Sequence, residues 1–151
     1  MSNLPKLVKK TLADVLLQEG IVAPNHLTDA QQRQKTSGEP LSAVLTKMGV
    51  LSEVDLARAL CKQYNLPYID ASRYSVPKDV SGLFTADDMI KHKFAPIDKI
   101  GKVLLIALGD VPGADFIEML EKRTGSTVFV YVTTVSQLTN AVKKHFANGQ
   151  K

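Results

Sequence analysis

The apolar positions of residues 12–34 recur in residues 41–63 at a fixed offset of 29 and without a gap. Leu12/Leu41, Val15/Val44, Leu16/Leu45, Gly20/Gly49, Leu27/Leu56, Ala30/Ala59 and Gln34/Gln63 are identical, and Ile21/Val50 and Val22/Leu51 keep their apolar character. Within the first copy, Leu12, Val15, Leu16 and Leu17 have helical spacing that stops at Gly20, where a left-handed residue closes a helix. A second helix starts near residues 23–25 and carries Leu27, Ala30 and Gln34. In the second copy the same pattern runs from Leu41 to Met48 and stops at Gly49. Ser52 then caps a helix from Glu53 to about Tyr64, with Asp55 three residues on as a variant of the capping box and two carboxylates at the positive end of the helix dipole. A unit repeated at this period buries its apolar face only against its neighbour, so the two copies are predicted to pack as paired helical hairpins. Two equivalent units also offer two equivalent surfaces to one symmetric ligand.

Residues 35–40 read as a loop between the copies by composition. Leu4, Leu7 and Val8 suggest a further helix before the repeat. After Tyr64 the pattern changes. Residues 65–70 read as a short strand, because Pro67 forbids a helix interior and Tyr68 and Ile69 favour extended backbone. Residues 77–92 read as helical with a break near Gly82 and Phe84, and Asp79, Asp87 and Asp88 fit helix starts. Two apolar runs around Gly101, residues 94–100 and 102–108, signal an antiparallel hairpin. Residues 113–123 return to helix and stop at Thr124-Gly125, followed by the β-branched run 126–132. Thr134 or Ser136 can cap a last helix with Val135, Leu138, Val142 and Phe146 along one stripe. The order predicts an α+β fold: a tandem helical-hairpin repeat over residues 1–64, packed on a small α/β sandwich over residues 65–151 with a short mixed sheet.

Composition narrows the class. The chain has 151 residues, 44% of them hydrophobic, enough for one ordinary core. The net charge is +4, but the positive charges form no single block, and the clusters Lys6/Lys9/Lys10 and Lys143/Lys144/His145 read as solvated ends. The one cysteine, Cys61, excludes an intrachain disulfide and fits a reducing cytoplasm as a partly buried small side chain. No run of apolar residues is long enough to cross a membrane, and the N-terminus lacks a signal-peptide core, so direct membrane insertion is not expected.

Catalytic signals are sparse. His26, His92 and His145 fall in separate segments, none with metal-ligand spacing. Gly101-Lys102 lacks the glycines and hydroxyl of a phosphate-binding loop, and no nucleophile elbow is present. Asp87-Asp88 and the Asp110-Val111-Pro112 turn read as helix-start and turn residues rather than as a carboxylate pair. With 6% aromatic residues and no tryptophan, the chain also lacks a stacking platform for nucleic acid. Neither an enzyme nor a cofactor protein is expected.

The repeated unit, Leu12-Ala13-Asp14-Val15-Leu16-Leu17 through Gly20-Ile21-Val22 to Leu27, Ala30 and Gln34, resembles the N-terminal domain of type II secretion and type IV pilus assembly ATPases, the MshEN kind. The second copy, from Leu41 through Gly49-Val50-Leu51 to Leu56, Ala59, Leu60 and Gln63, is the closer match. Residues 65–70, Phe94-Ala95-Pro96-Ile97, residues 103–108 and the helix with Gln137, Leu138, Ala141 and Val142 extend the resemblance along nearly the whole chain. In that family the motor belongs to a separate C-terminal region with phosphate-binding loops, which is absent here. The resemblance implies docking onto a membrane-platform protein, or onto a motor ATPase of a secretion or pilus system. In a subset of the family it implies binding of cyclic di-GMP across the tandem motifs. It places the chain in the cytoplasm, held at the inner membrane only through partners.

The resemblance implies candidate ligand residues Lys10, Leu12, Ala13, Leu27 and Gln34 in the first copy. In the second it implies Leu41, Ser42, Leu56, Leu60 and Gln63. The family pattern has an arginine and a glycine at the start of each repeat, leucines in the second helix and a closing glutamine. Here Thr11 and Pro40 stand for the arginines, Ala13 and Ser42 for the glycines, and Gln31 for one leucine. Each added Cβ obstructs close backbone approach, and each lost charge-assisted contact costs about 1.5–3 kcal/mol. Lys10 supplies a point charge next to the missing arginine but not its planar fork. The expectation is a non-catalytic cytoplasmic adaptor or regulatory domain acting by protein contact, with a cyclic di-GMP receptor as the alternative.

Overall fold

The computed structural model describes residues 11–74, 82–110 and 115–146, with residues 145 and 146 described by backbone alone. The suggested helix around Leu4, Leu7 and Val8, the start of the 77–92 stretch with Asp79, the beginning of the 113–123 helix, residues Lys6, Lys9 and Lys10, and the side chains of His145 and Phe146 lie outside the described residues.

The repeat forms four helices: α1 (Leu12–Gln18), α2 (Pro24–Ser37), α3 (Leu41–Lys47) and α4 (Glu53–Tyr64). The two copies close their first helices with the same turn. Gly20 and Gly49 adopt φ of +66° and +76°, and Ile21 N–H donates to the Leu16 carbonyl as Val50 N–H does to that of Leu45. The pairs Val15/Val44, Leu16/Leu45, Leu27/Leu56 and Ala30/Ala59 are buried alike, and Leu16 and Leu45 have no exposed surface at all. The pairing is crossed: α1 packs on α4 and α2 on α3, so each first helix lies on the second helix of the other copy.

The predicted Ser52 cap holds, with Ser52 accepting from Asp55 N–H. Thr11, not predicted as a cap, forms a reciprocal capping box with Asp14. Two expectations for the repeat need correction. The helix expected to end before residue 35 runs through Ser37, because the left-handed Gly38 is the first residue that terminates it. Leu17, counted in the apolar stripe of α1, faces outward.

Residues 65–70 are extended but make a single parallel bridge, Tyr68 to Val132. A 3₁₀ turn (Ala71–Arg73) follows. Next come α5 (Ala86–His92), β1 (Phe94–Ile100), β2 (Val103–Leu108), α6 (Phe116–Thr124), β3 (Thr127–Val132) and α7 (Val135–Phe146). The sheet order is β1-β2-β3, with β1 antiparallel and β3 parallel to β2, the mixed sheet expected. Pro96 sits in edge strand β1 beside a bulge at Ile97, where its missing N–H is tolerated. Thr134, not Ser136, caps α7: its hydroxyl accepts from Gln137 N–H at 3.2 Å while Gln137 Oε1 accepts from Thr134 N–H.

Strand alternation divides the core between the two sheet faces. Phe94, Leu104, Ile106, Val128, Val130 and Val132 share one continuous cluster with the repeat leucines and α6. Ala95, Ile97 and Ala107 pack on the other face under Leu138 and Ala141 of α7. Leu16→Ala and Leu45→Ala are each expected to cost about 2–5 kcal/mol, the range for emptying a fully buried leucine site. Because the cluster is continuous, chemical denaturation should show one cooperative transition for each variant. Separate transitions for the helical and sheet signals would contradict this.

Candidate functional site

The crossed pairing puts several candidate ligand residues of both copies into the common core. Leu12, Leu27, Leu56 and Leu60 are buried in the common cluster, and Ala13 and Leu41 are half-buried against it. Gln34 and Gln63 are half-buried near the ends of α2 and α4, with Gln63 Oε1 turned inside. Lys10 lies outside the described residues. The leucines therefore serve as hairpin core, with little surface left for a base to stack on.

The two positions where the family pattern has glycine differ. Ala13 sits in the first turn of α1. Ser42 sits in the first turn of α3, is 3% exposed, and its hydroxyl donates to Asp110 Oδ2 at 2.9 Å. Asp110 belongs to the turn after β2, so this bond joins the repeat to the sheet across 68 residues of sequence. No local signal announces it, since Asp110 in sequence is only a turn residue before a proline. The carboxylate also faces the end of α4. The phenol of Tyr64 is held above the usual tyrosine range, first by burial and then by the charge of Asp110. The same burial logic pushes the half-buried Cys61 thiol up, away from the reactive thiolate.

At Ser42 the site is a polar joint between a buried hydroxyl and a carboxylate. Among the described residues no cluster of three or more His, Cys, Asp or Glu is arranged to hold a metal. No helix of those residues is long and apolar enough to cross a membrane.

One further tether crosses between the helical part and the sheet part: Ser136 at the start of α7 donates to Glu53 Oε2 at the start of α4, at 2.8 Å. Within the sheet part, Tyr68 Oη donates to Gln137 Oε1 at 2.7 Å, an oxygen that also accepts from Thr133 Oγ1.

Comparison with known proteins locates this architecture. The MshEN domain model matches residues 64–151. The type IV pilus assembly ATPase PilB of Myxococcus xanthus is 26% identical over 136 residues, which are 90% of this chain and 24% of that protein. The type IV pilus assembly ATPase PilB of Thermus thermophilus is 30% identical over 139 residues, 91% of this chain and 16% of that protein. The chain thus spans a quarter or less of the length of these relatives. A solved structure of MshE with cdg superposes with a TM-score of 0.76 at 30% identity, covering 91% of this chain and 99% of that one.

Asp110→Asn removes one of the two causes that raise Tyr64, so the Tyr64 phenol is expected to titrate closer to the ordinary value near ~10. A raised folded-state value means that neutral Tyr64 supports the fold below about pH 10. That support is lost as pH rises through the folded value. Ring resonances followed by NMR through alkaline pH would check this, with an unchanged Tyr64 titration in Asp110→Asn counting against the contact.

Proposed function

The chain belongs to the MshEN domain family, and from that membership we propose that it is a non-catalytic adaptor domain that works by protein contact. Its kinship to PilB supports a place in a type IV pilus or secretion system, with a membrane-platform protein or the motor ATPase as partner. We divide it functionally at Tyr64–Asn65. The helical unit of residues 1–64 presents contact surface, and the unit of residues 65–151 braces it. The observation that carries this reading is the Ser42–Asp110 hydrogen bond, which ties one candidate ligand position to an internal carboxylate. Thr11, Pro40, Ala13 and Ser42 in place of the expected arginines and glycines support it. The partner test is co-purification of the chain with the cytoplasmic part of the platform protein and with the motor ATPase from one system. Recovery of neither would overturn the adaptor reading.

The second reading, a cyclic di-GMP receptor, is favoured by the structural likeness to MshE with cdg. Calorimetric titration with cyclic di-GMP separates the two. The native chain should give no binding heat at micromolar ligand. A variant carrying Thr11→Arg, Ala13→Gly, Pro40→Arg, Ser42→Gly and Asp110→Asn should gain affinity by roughly two decades or more, as restored charge-assisted contacts require. Micromolar or tighter binding by the native chain, abolished by Gln34→Ala and Gln63→Ala, would put the receptor reading first.

A further inference from the structure

Val54, Ala57 and Cys61 recur at helical spacing along one face of α4. Ala57 is buried in the common core and Cys61 packs against it, whereas Val54 stands exposed. That face and Tyr68 wall a groove of ≈ 380 Å³, edged by Arg58 and Lys62. Val54 is 57% and Tyr68 49% exposed, large apolar surfaces for a small domain. The first copy of the repeat provides an internal control. The positions equivalent to Val54, Ala57 and Cys61 are Asn25, Thr28 and Gln32, all polar. Folding of the repeat therefore does not require an apolar residue at the exposed position of Val54.

An open sheet edge borders the same groove. Ile69 N–H donates to the Val132 carbonyl and Val132 N–H to the Pro67 carbonyl, both at 2.8 Å. Residues on either side of Tyr68 thus face β3, and in extended backbone Tyr68's own N–H and C=O point the opposite way. Neither group has a hydrogen bond among the described residues. Pro67 lacks its N–H on the β3 side, so the outer edge loses nothing by it.

We propose that this edge and groove form a strand-addition site for an acidic, extended segment of a partner protein. The segment's backbone pairs with Tyr68 N–H and C=O, and one large apolar side chain enters between Val54 and Tyr68 over Ala57 and Cys61. Flanking carboxylates meet Arg58 and Lys62. Arg58 has only an exposed, long contact to Asp55 at 3.8 Å, and Lys62 has no ion pair among the described residues. Residues 1–10, with three lysines and no carboxylate side chain, and residues 147–151, with one lysine and none, do not fit the charge. The inference rests on the adaptor reading and names its surface.

Selection of short random peptides on phage against the full chain tests it. The expected recovery is a set of peptides alternating apolar and acidic residues, which protect the Tyr68 amide from hydrogen exchange. Val54→Arg, at an exposed position, should weaken their binding at least about tenfold with an unchanged circular dichroism spectrum. Arg58→Glu with Lys62→Glu should turn the preference to basic peptides. No recovered peptide, equal binding by Val54→Arg, or an unprotected Tyr68 amide would overturn the proposal. Platform protein recovered equally by native and Val54→Arg chains would sink this surface and leave the adaptor reading standing. Peptides selected at the groove with no secretion or pilus component recovered would do the reverse.

Discussion

Everything in this molecule depends on two hairpins that cannot bury their leucines alone. Helices α1 and α3 have seven residues each, far below the ~12–15 at which an isolated helix becomes marginal in water. They exist because α1 lies on α4 and α3 on α2, so that Leu16, Leu45 and Leu60 fill a shared interior. Crossing the copies in this way makes each hairpin the other's folding partner. The matching glycine turns, each closed by a hydrogen bond back to the buried leucine of its own helix, fix the angle at which each short helix meets its partner.

The sheet continues the same interior. Val128, Val130 and Val132 of β3 join the repeat leucines in one cluster, so the helical part forms one wall of the sheet's core. The polar tethers across this junction, Ser42–Asp110 and Ser136–Glu53, each contribute about 1.5–3 kcal/mol, the range for a hydrogen bond to a charged group. Apolar burial far exceeds that. Their directional geometry instead sets how α3 and α4 are oriented on the sheet, which an apolar cluster alone would leave loose.

Local rules were legible in the sequence and long-range pairings were not. The helix stops at Gly20 and Gly49, the Ser52 cap, the hairpin turn at Gly101 and the β-branched strand each follow from residue chemistry within a few positions. The end of α2 was misplaced because Lys35, Thr36 and Ser37 have loop composition, yet a helix persists until a left-handed residue, Gly38, interrupts it. Residues 65–70 read as a strand, but one bridge is all that Pro67 and the nearby turn allow. Ser42 was legible as a departure from the family glycine. Its partner Asp110 was not, because nothing in the sequence joins a turn to a helix start 68 positions away. The exposed end of the α4 groove was hidden for another reason: Val54 looks like a core residue until the core is seen to leave it outside.

A symmetric ligand needs two equal half-sites, and here the two copies are equal only where they pack. At Leu16/Leu45, Leu27/Leu56 and Ala30/Ala59 the environments match closely. At Ala13/Ser42 they diverge, since Ser42 is locked to a carboxylate from outside the repeat. At the surface they diverge further, with exposed Asn25 set against exposed Val54. Symmetry is strongest at the buried leucines and alanines that both hairpins share. Recognition is then best sought where one copy exposes apolar surface that its twin lacks, which is Val54 of α4 beside the open edge at Tyr68.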